Sequence, residues 1–246
     1  MKHDERMNYL FIEENEFDTQ IYRIFRPKYF FEMLEDKKMA MMKPELWDDP
    51  RENPLKRARF ECEDGEGSFA FADDLFCVCW SQCKESDGIW RAYSPENDNI
   101  MVSTTPRKLL CALKNALPGE IVNNLCFIGK VQYKKDEEIL NSLEDFYLDT
   151  SGVEIAKTLL YKELSFLYER EVRLIYIKIS NGGKDNIFKF NIEPNEVFEE
   201  IIFSSKITEK LENEYKYRLK ELGYNFKICK SKIYDPSMAK TMKYKI

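Results

Sequence analysis

Histidine is almost missing from this chain: 246 residues contain one, His3, against 38 Lys/Arg and 44 Asp/Glu. Unless His3 folds back from the terminus, Ser-His-Asp, Cys-His and histidine-based acid/base schemes are excluded. Phosphate-binding glycine loops are absent too. Neither G-x-x-x-x-G-K-[ST] nor G-x-G-x-x-G occurs, and Gly65 and Gly67 fall in an acidic loop rather than after a strand, which disfavours P-loop, kinase and Rossmann chemistry. No apolar run approaches the roughly 18 to 20 residues that span a bilayer. The opening MKHDERMNYLFIEENEF is acidic and lacks a signal-peptide core. A cytoplasmic protein with no membrane partner is the expectation. Seven cysteines, an odd number, argue against a disulfide framework. Cys77, Cys79 and Cys83 form C-x-C-x3-C without the second pair that zinc sites use, so buried thiols on a strand are expected and no metal. An enzyme of this composition works with carboxylates, arginines, hydroxyls or a bound ion.

What the chain does contain is mixed periodicity. Gln20–Arg26 reads as a strand, Pro27 opens a helix carrying Phe30, Phe31 and Leu34, and Met39–Met42 reads as a short strand. Cys62–Ser68 reads as a mobile loop. Leu75–Ser81 is dense enough in apolar residues for a buried strand, and Asp87–Tyr93 is a short helical piece. Asn99–Ser103 follows as a strand, and Thr105-Pro106 caps a helix to about Ala116. Leu125–Tyr133 is another strand. Asp136–Tyr147 and Val153–Leu164 have helical spacing. Ile187–Ile192 and Val197–Ser204 add strands, Ile207–Leu222 is an amphipathic helix stopped by Gly223, and Tyr224–Ile233 closes the pattern. Helices do not alternate strictly with strands, so the fold class is α+β, a single mixed domain with a central, largely antiparallel sheet flanked by helices. An acidic arm (1–19) precedes the domain (20–234), and a basic tail (235–246) follows it. The net charge of −6 hides this polarity: Lys206–Ile246 holds eleven Lys/Arg against five Asp/Glu, a stretch that suits an anionic partner or a solvated helix face.

Chemistry concentrates in Phe166–Tyr176, FLYEREVRLIY. From Val172 onward apolar and polar residues alternate at the period of a strand. Extended through the acids, that strand places Glu169 and Glu171 on one face about 7 Å apart, a spacing at which two carboxylates take separate roles on one substrate. The same alternation also describes a solvated face cross-paired with arginines. Trp47-Asp48-Asp49-Pro50-Arg51-Glu52 gathers three carboxylates and an aromatic, which suits an ion, a sugar hydroxyl or a plain turn. On a helix Trp90 and Tyr93 share a face, either as the floor of a pocket for a planar ring or as a core stripe.

Tyr22-Arg23, Asp49-Pro50-Arg51-Glu52, Val78-Cys79-Trp80-Ser81, Trp90 to Tyr93 and Tyr168-Glu169-Arg170-Glu171-Val172-Arg173 occur in the order of the bacterial domain-of-unknown-function family 2971. The chain resembles that family from about residue 20 to residue 234. More remotely, Arg23, Ser81 and Glu169-x-Glu171 resemble the arginine, serine and glutamate positions of ADP-ribosyltransferases, with Cys79-Trp80-Ser81 where those enzymes have an S-T-S type triplet. This resemblance implies an ADP-ribosyltransferase-like fold, NAD as substrate, and a protein or nucleic-acid acceptor. Family context implies a toxin or phage-defence role. By the same likeness Arg23 holds the diphosphate, Tyr22, Trp90 and Tyr93 belong to the NAD site, Ser81 supports the ribose, Glu171 stabilises the oxocarbenium-like ribose, and Glu169 activates the acceptor. Two other readings compete. One is a nucleic-acid effector using the basic C-terminal region, including Lys240, Lys243 and Lys245, and an ion at Asp48, Asp49 and Glu52, with Lys162 available beside its acids. The other is a non-catalytic module in which Glu169, Arg170, Glu171 and Arg173 form a structural ion-pair network.

Overall fold

Local signals set the elements that frame the cleft. Ile21–Phe25 forms strand β2, and Pro27 at the first helical position starts α1 (Pro27–Asp36), whose Phe30, Phe31, Met33 and Leu34 are buried. Lys37, left-handed at φ 50°, ends the helix with its N–H on the Met33 carbonyl and turns the chain into β3 (Lys38–Met42). Ser86 caps α3 (Asp87–Tyr93) by accepting from the Ile89 amide, and Thr105 caps α4 (Pro106–Ala116) by accepting from the Lys108 amide. The computed structural model describes residues 5–47, 49, 51–57, 59–62, 65–67, 69–117, 119, 125–144, 151–178 and 185–234. His3, Asp48, Pro50 and the basic tail with Lys240, Lys243 and Lys245 lie outside the described residues.

One mixed sheet organises the chain. Its order is β1 (Tyr9–Leu10), β8 (Cys126–Lys130), β11 (Glu171–Ile177), β6 (Leu75–Ser81), β2, β7 (Ile100–Thr104), β13 (Glu200–Phe203) and β14 (Lys227–Lys230). The two end pairings, β1 with β8 and β13 with β14, are parallel, and the pairings between them are antiparallel. Tyr9 and Leu10, from the stretch read as an arm, thus supply an edge strand.

The sheet splits at β6. Along one edge β6 pairs with β11 over its whole length, from Ser81 opposite Glu171 to Leu75 opposite Ile177. Along the other it touches β2 only at Ser81–Tyr22 and β3 only at Cys77–Met42. β3 then pairs antiparallel with β12 (Ile187–Asn191). Between those two contacts the edge of β6 at Cys79 has no strand partner, and a cleft opens there.

Both faces of the sheet are covered, so β11 is buried at every residue. Val172, Leu174 and Tyr176 join Phe30, Phe31 and Leu34 of α1, Leu109, Leu110 and Leu113 of α4, and Tyr215 and Leu219 of the helix Glu209–Glu221. On the opposite face Ile175 and Ile177 pack with Cys77, Phe127, Ile155, Leu159 and Leu160. This three-layer, α+β arrangement is the expected fold class.

Four expectations are corrected. Val153–Leu164 is not one helix: the helix stops at Thr158, and Tyr161–Glu163 becomes β10, parallel to β9 (Gln132–Lys134). Leu125–Tyr133 breaks at Val131, because its first half pairs in the main sheet and its second with β10. Within Cys62–Ser68 the described residues are not loop: Gly65–Gly67 forms β5, antiparallel to β4 (Phe60–Cys62). Phe166–Tyr176 is not one strand: Leu164–Glu169 is a 3-10 turn and Arg170 is left-handed at φ 46°. Strand geometry begins only at Glu171, where pairing with Ser81 begins.

Candidate active site

At the split in the sheet the Cys79 carbonyl lacks the ladder partner a buried acceptor needs. The Arg23 guanidinium supplies it: Nη1 donates to that oxygen, and the group lies 5.3 Å from the Phe25 ring. Its Nε is buried with no hydrogen-bond partner. Burial disfavours the charged guanidinium, which the neighbouring Cys79, Cys77, Tyr93 and Glu171 groups partly offset. One donor edge thus seals the strand, and the Arg23 side chain lines the cleft.

Across β6, the pairing places Glu171 and Arg173 on the face shared by Ser81 and Cys79. There they meet Lys162 from β10 and Glu52 from the turn before the short helix α2 (Pro54–Arg57). Lys162 Nζ lies 2.6 Å from Glu171 Oε1, 2.7 Å from Glu169 Oε2 and 3.2 Å from Glu52 Oε1. Arg173, fully buried, donates from Nε to Glu171 Oε2 at 2.8 Å, from Nη1 to the Leu159 carbonyl at 2.8 Å and from Nη2 to Glu52. Trp47 covers its guanidinium at 4.7 Å. Three carboxylates thus share two cations, and each buried charge has the partner it requires.

The two expected acids are not equivalent. Burial alone would raise the Glu171 carboxyl, but the Arg173 guanidinium, helped by Lys162, outweighs it and holds the group well below the usual range. Glu169 moves the other way: burial and the adjacent Glu171 raise it more than Lys162 lowers it. Tyr93, on α3, donates its hydroxyl to Glu169 Oε1 at 2.8 Å, and burial together with that carboxylate pushes the phenol far up. Lys162 is held protonated: burial opposes its charge, but Glu171 and Glu169 more than compensate. The pair therefore divides into one carboxylate held ionised by its cations and one that takes up a proton more readily.

The cleft measures about 1090 Å³, and Tyr22, Arg23, Ser81, Tyr93, Glu169 and Glu171 all line it. Ser81 is half-buried and already committed, since its hydroxyl donates to the Glu169 carbonyl at 2.6 Å and accepts from the Cys83 amide at 3.0 Å. It latches the 3-10 turn onto β6. Tyr22 is buried, with its hydroxyl on Gln20 Oε1 at 2.8 Å.

Trp90 does not join the cleft. Only 6% exposed, it packs with Tyr22, Ile89, Met101 and Ile202 and borders a separate cavity of about 280 Å³ with Arg91, Lys206 and Tyr234. Residues three apart on a helix differ by about 60° around its axis, which is enough for Tyr93 to reach the cleft while Trp90 packs in the core. Arg170 is likewise outside the ion-pair cluster, exposed at the left-handed corner.

By sequence Glu52 belongs to a turn that suits an ion, a sugar hydroxyl or no ligand, and Lys162 to the neighbourhood of a metal; the structure gives both to the cluster instead. Asp49 is clamped by Arg51 through contacts of 3.0 and 3.1 Å, while Glu52 belongs to Arg173 and Lys162. Among the described residues no group of three or more potential ligands gathers for a metal ion. A signal for Lys162 existed: a lysine one step into a short strand, nine residues before an acid that an arginine follows at i+2.

No family model matches the chain, so the likeness to family 2971 rests on the motifs themselves, and no curated protein matches it either. Among solved structures the chain is similar to Thermus sp. 2.9 DarT in complex with NAD+, at 14% identity and a TM-score of 0.40, over 87% of this chain and 96% of that one. It is similar to Thermus sp. 2.9 DarT in complex with ADP-ribosylated ssDNA at 14% identity and a TM-score of 0.41, over 91% and 97% of the two chains. For Thermus sp. 2.9 DarT in complex with carba-NAD+ the values are 14% and 0.40, over 90% and 98%.

Proposed function

We propose that this chain is an ADP-ribosyltransferase-like enzyme that takes NAD as substrate and transfers ADP-ribose to a protein or nucleic-acid acceptor. The observation that carries the reading is the meeting of Arg23 and Glu171 in one cleft at the split of the sheet. Its volume lies just above the roughly 300–1,000 Å³ of small-molecule sites, in keeping with a dinucleotide. The Arg23 guanidinium suits a diphosphate, whose oxygens accept paired N–H donors. Phe25, Met33, Met42, Trp47 and Phe166 supply apolar wall for planar rings.

Breaking the nicotinamide–ribose bond sends the bonding pair to the pyridinium nitrogen and leaves a cationic, oxocarbenium-like ribose. A carboxylate that stays ionised, such as Glu171, stabilises charge that develops only in that transition state. Glu169, whose proton affinity is higher, takes the proton of the acceptor as its nucleophilic atom bonds to the ribose carbon.

Incubating folded protein with NAD labelled in its adenylate half and cell extract should give a labelled macromolecule and free nicotinamide. Glu171→Gln should slow nicotinamide release by about 100-fold or more, the usual effect of removing one transition-state charge stabiliser. Neither product from folded wild-type protein would sink the proposal. A specific observation favours a second reading, a non-catalytic NAD-binding module: both Glu171 oxygens already have cationic partners. Saturable NAD binding with no nicotinamide released would select it.

A further inference from the structure

The two acids reach one point although the backbone sends them apart. Glu169 ends a 3-10 turn, Arg170 bends the chain at φ 46°, and Glu171 begins a strand. Their carboxyls nevertheless lie within 2.7 and 2.6 Å of a single nitrogen, Lys162 Nζ. Lys162 comes from β10, a three-residue strand outside the main sheet, and is 7% exposed. An ammonium has three donors. Here three carboxylates surround it, the third being Glu52 at 3.2 Å, while Phe166 covers it at 4.6 Å. Arg173 does not duplicate this, because its contacts go to Glu171, Glu52 and the Leu159 carbonyl, and none to Glu169.

We propose that Lys162 is the positioning residue of the site: its ammonium draws the Glu169 carboxyl against that of Glu171 and thereby gives the two acids their separate roles. The catalytic half of this inference rests on the transferase reading above; the geometric half does not. The charged and titratable groups around Glu169 are Lys162 from β10, Tyr93 from α3, Glu171 from β11, its neighbour Tyr168 and, at longer range, Tyr133 from β9. Lys162 is the one cation hydrogen-bonded to Glu169 among the described residues. Without it Glu169 would keep the Tyr93 and Tyr168 hydroxyls but no cation, and only Arg173, on the far oxygen of Glu171, would temper the repulsion between the two acids.

Two variants test this. Lys162→Met removes the cation, and Lys162→Met combined with Glu52→Gln removes one charge of each sign, which keeps the cluster's net charge and guards against misfolding. The first readout does not need activity: the side-chain carboxyls of ¹³C-labelled Glu169 and Glu171 are titrated by NMR. Wild-type protein should show two widely separated transitions. In the variants both should move to higher pH, and Glu171, which keeps Arg173, should move less. The second readout is nicotinamide release, where kcat should fall about 100-fold, the cost of misplacing a group by an ångström, with KM for NAD within about twofold. The acid limb of the pH profile should shift upward with the carboxyls. Unchanged titrations in a folded variant would overturn the proposal, as would an unchanged kcat and pH profile. If wild-type protein releases no nicotinamide while the titrations shift as expected, the transferase reading fails and the positioning role stands.

Discussion

Glu169 and Glu171 show how environment separates two identical side chains. The Glu171 carboxyl has Arg173 on one oxygen and Lys162 on the other, whereas Glu169 faces Lys162, the Tyr93 hydroxyl and the Glu171 charge itself. Opposite shifts give opposite contributions to stability against pH. Glu171, lowered from its ordinary 4.5, stabilises the fold above that value and loses the contribution only as pH falls through its depressed folded value. Glu169, raised from 4.5, binds its proton more tightly folded than unfolded, so its stabilising contribution is present below the ordinary value and is lost as pH rises through the folded one. As pH falls from neutral toward the ordinary value of 4.5, wild-type protein should therefore gain stability relative to Glu169→Gln, which has nothing to titrate. Urea unfolding of both proteins across that interval checks the sign, and parallel curves would contradict the raised carboxyl. At this scale the sequence was partly legible. The i, i+2 spacing of Glu171 and Arg173 placed both on one strand face, but alternation alone cannot tell a solvated face from a buried one lined with partners. Lys162, on a separate strand, and Glu52, distant in sequence, decide which it is.

Elements with local stop and start signals were readable. Ser81 ends β6 and Tyr93 ends α3 where composition put them, and the Thr105-Pro106 cap opens α4. Two of the elements that misread, Leu125–Tyr133 and Val153–Leu164, share one cause: their pairing is non-local. Val131 interrupts an apolar run because the strand on one side of it meets β11 and the strand on the other meets β10. Similarly, nothing within Phe166–Tyr176 announces that Arg170 is left-handed, since arginine has no preference for that region. Within β8, Gly129 is held between β1 and β11, opposite Leu10 and Arg173. A methyl group there would lie 3.1 Å from both Leu10 Cβ and the Leu10 carbonyl oxygen and would also run into Leu160. Leu160 belongs to the segment that leads into β10 and Lys162, so the clash bears on the site as well as on the edge of the sheet. Gly129→Ala should cost about 1–3 kcal/mol in chemical denaturation, the range for overpacking a closed interior. No loss would mean that β1 is free to move away.

For the whole molecule, the fold class followed from the irregular alternation of helices and strands, while the split in the sheet could not be read from any segment. It arises because β2 and β3, joined through α1, return to the same strand and meet it at only two residues, Ser81 and Cys77. That topology brings Arg23 within one cleft of acids almost 150 positions later in the chain, and it makes Arg23 both a seal on β6 and part of the cleft wall. A ligand held across this gap bridges the two halves of the sheet and stabilises the whole fold by mass action. NAD at 100 times its Kd adds about 2.7 kcal/mol, which for a chain of this length raises Tm by about 5–10 °C. Glu171→Gln should retain most of the NAD-induced shift, because the role proposed for that carboxylate is on the transition state rather than the bound ground state. Arg23→Met should lose it, whatever the variant's own starting Tm, since the diphosphate loses its guanidinium. Differential scanning fluorimetry with and without NAD separates these outcomes. An equal shift in wild-type protein and Arg23→Met would place the dinucleotide elsewhere, and no shift in wild-type protein would remove NAD from the cleft altogether.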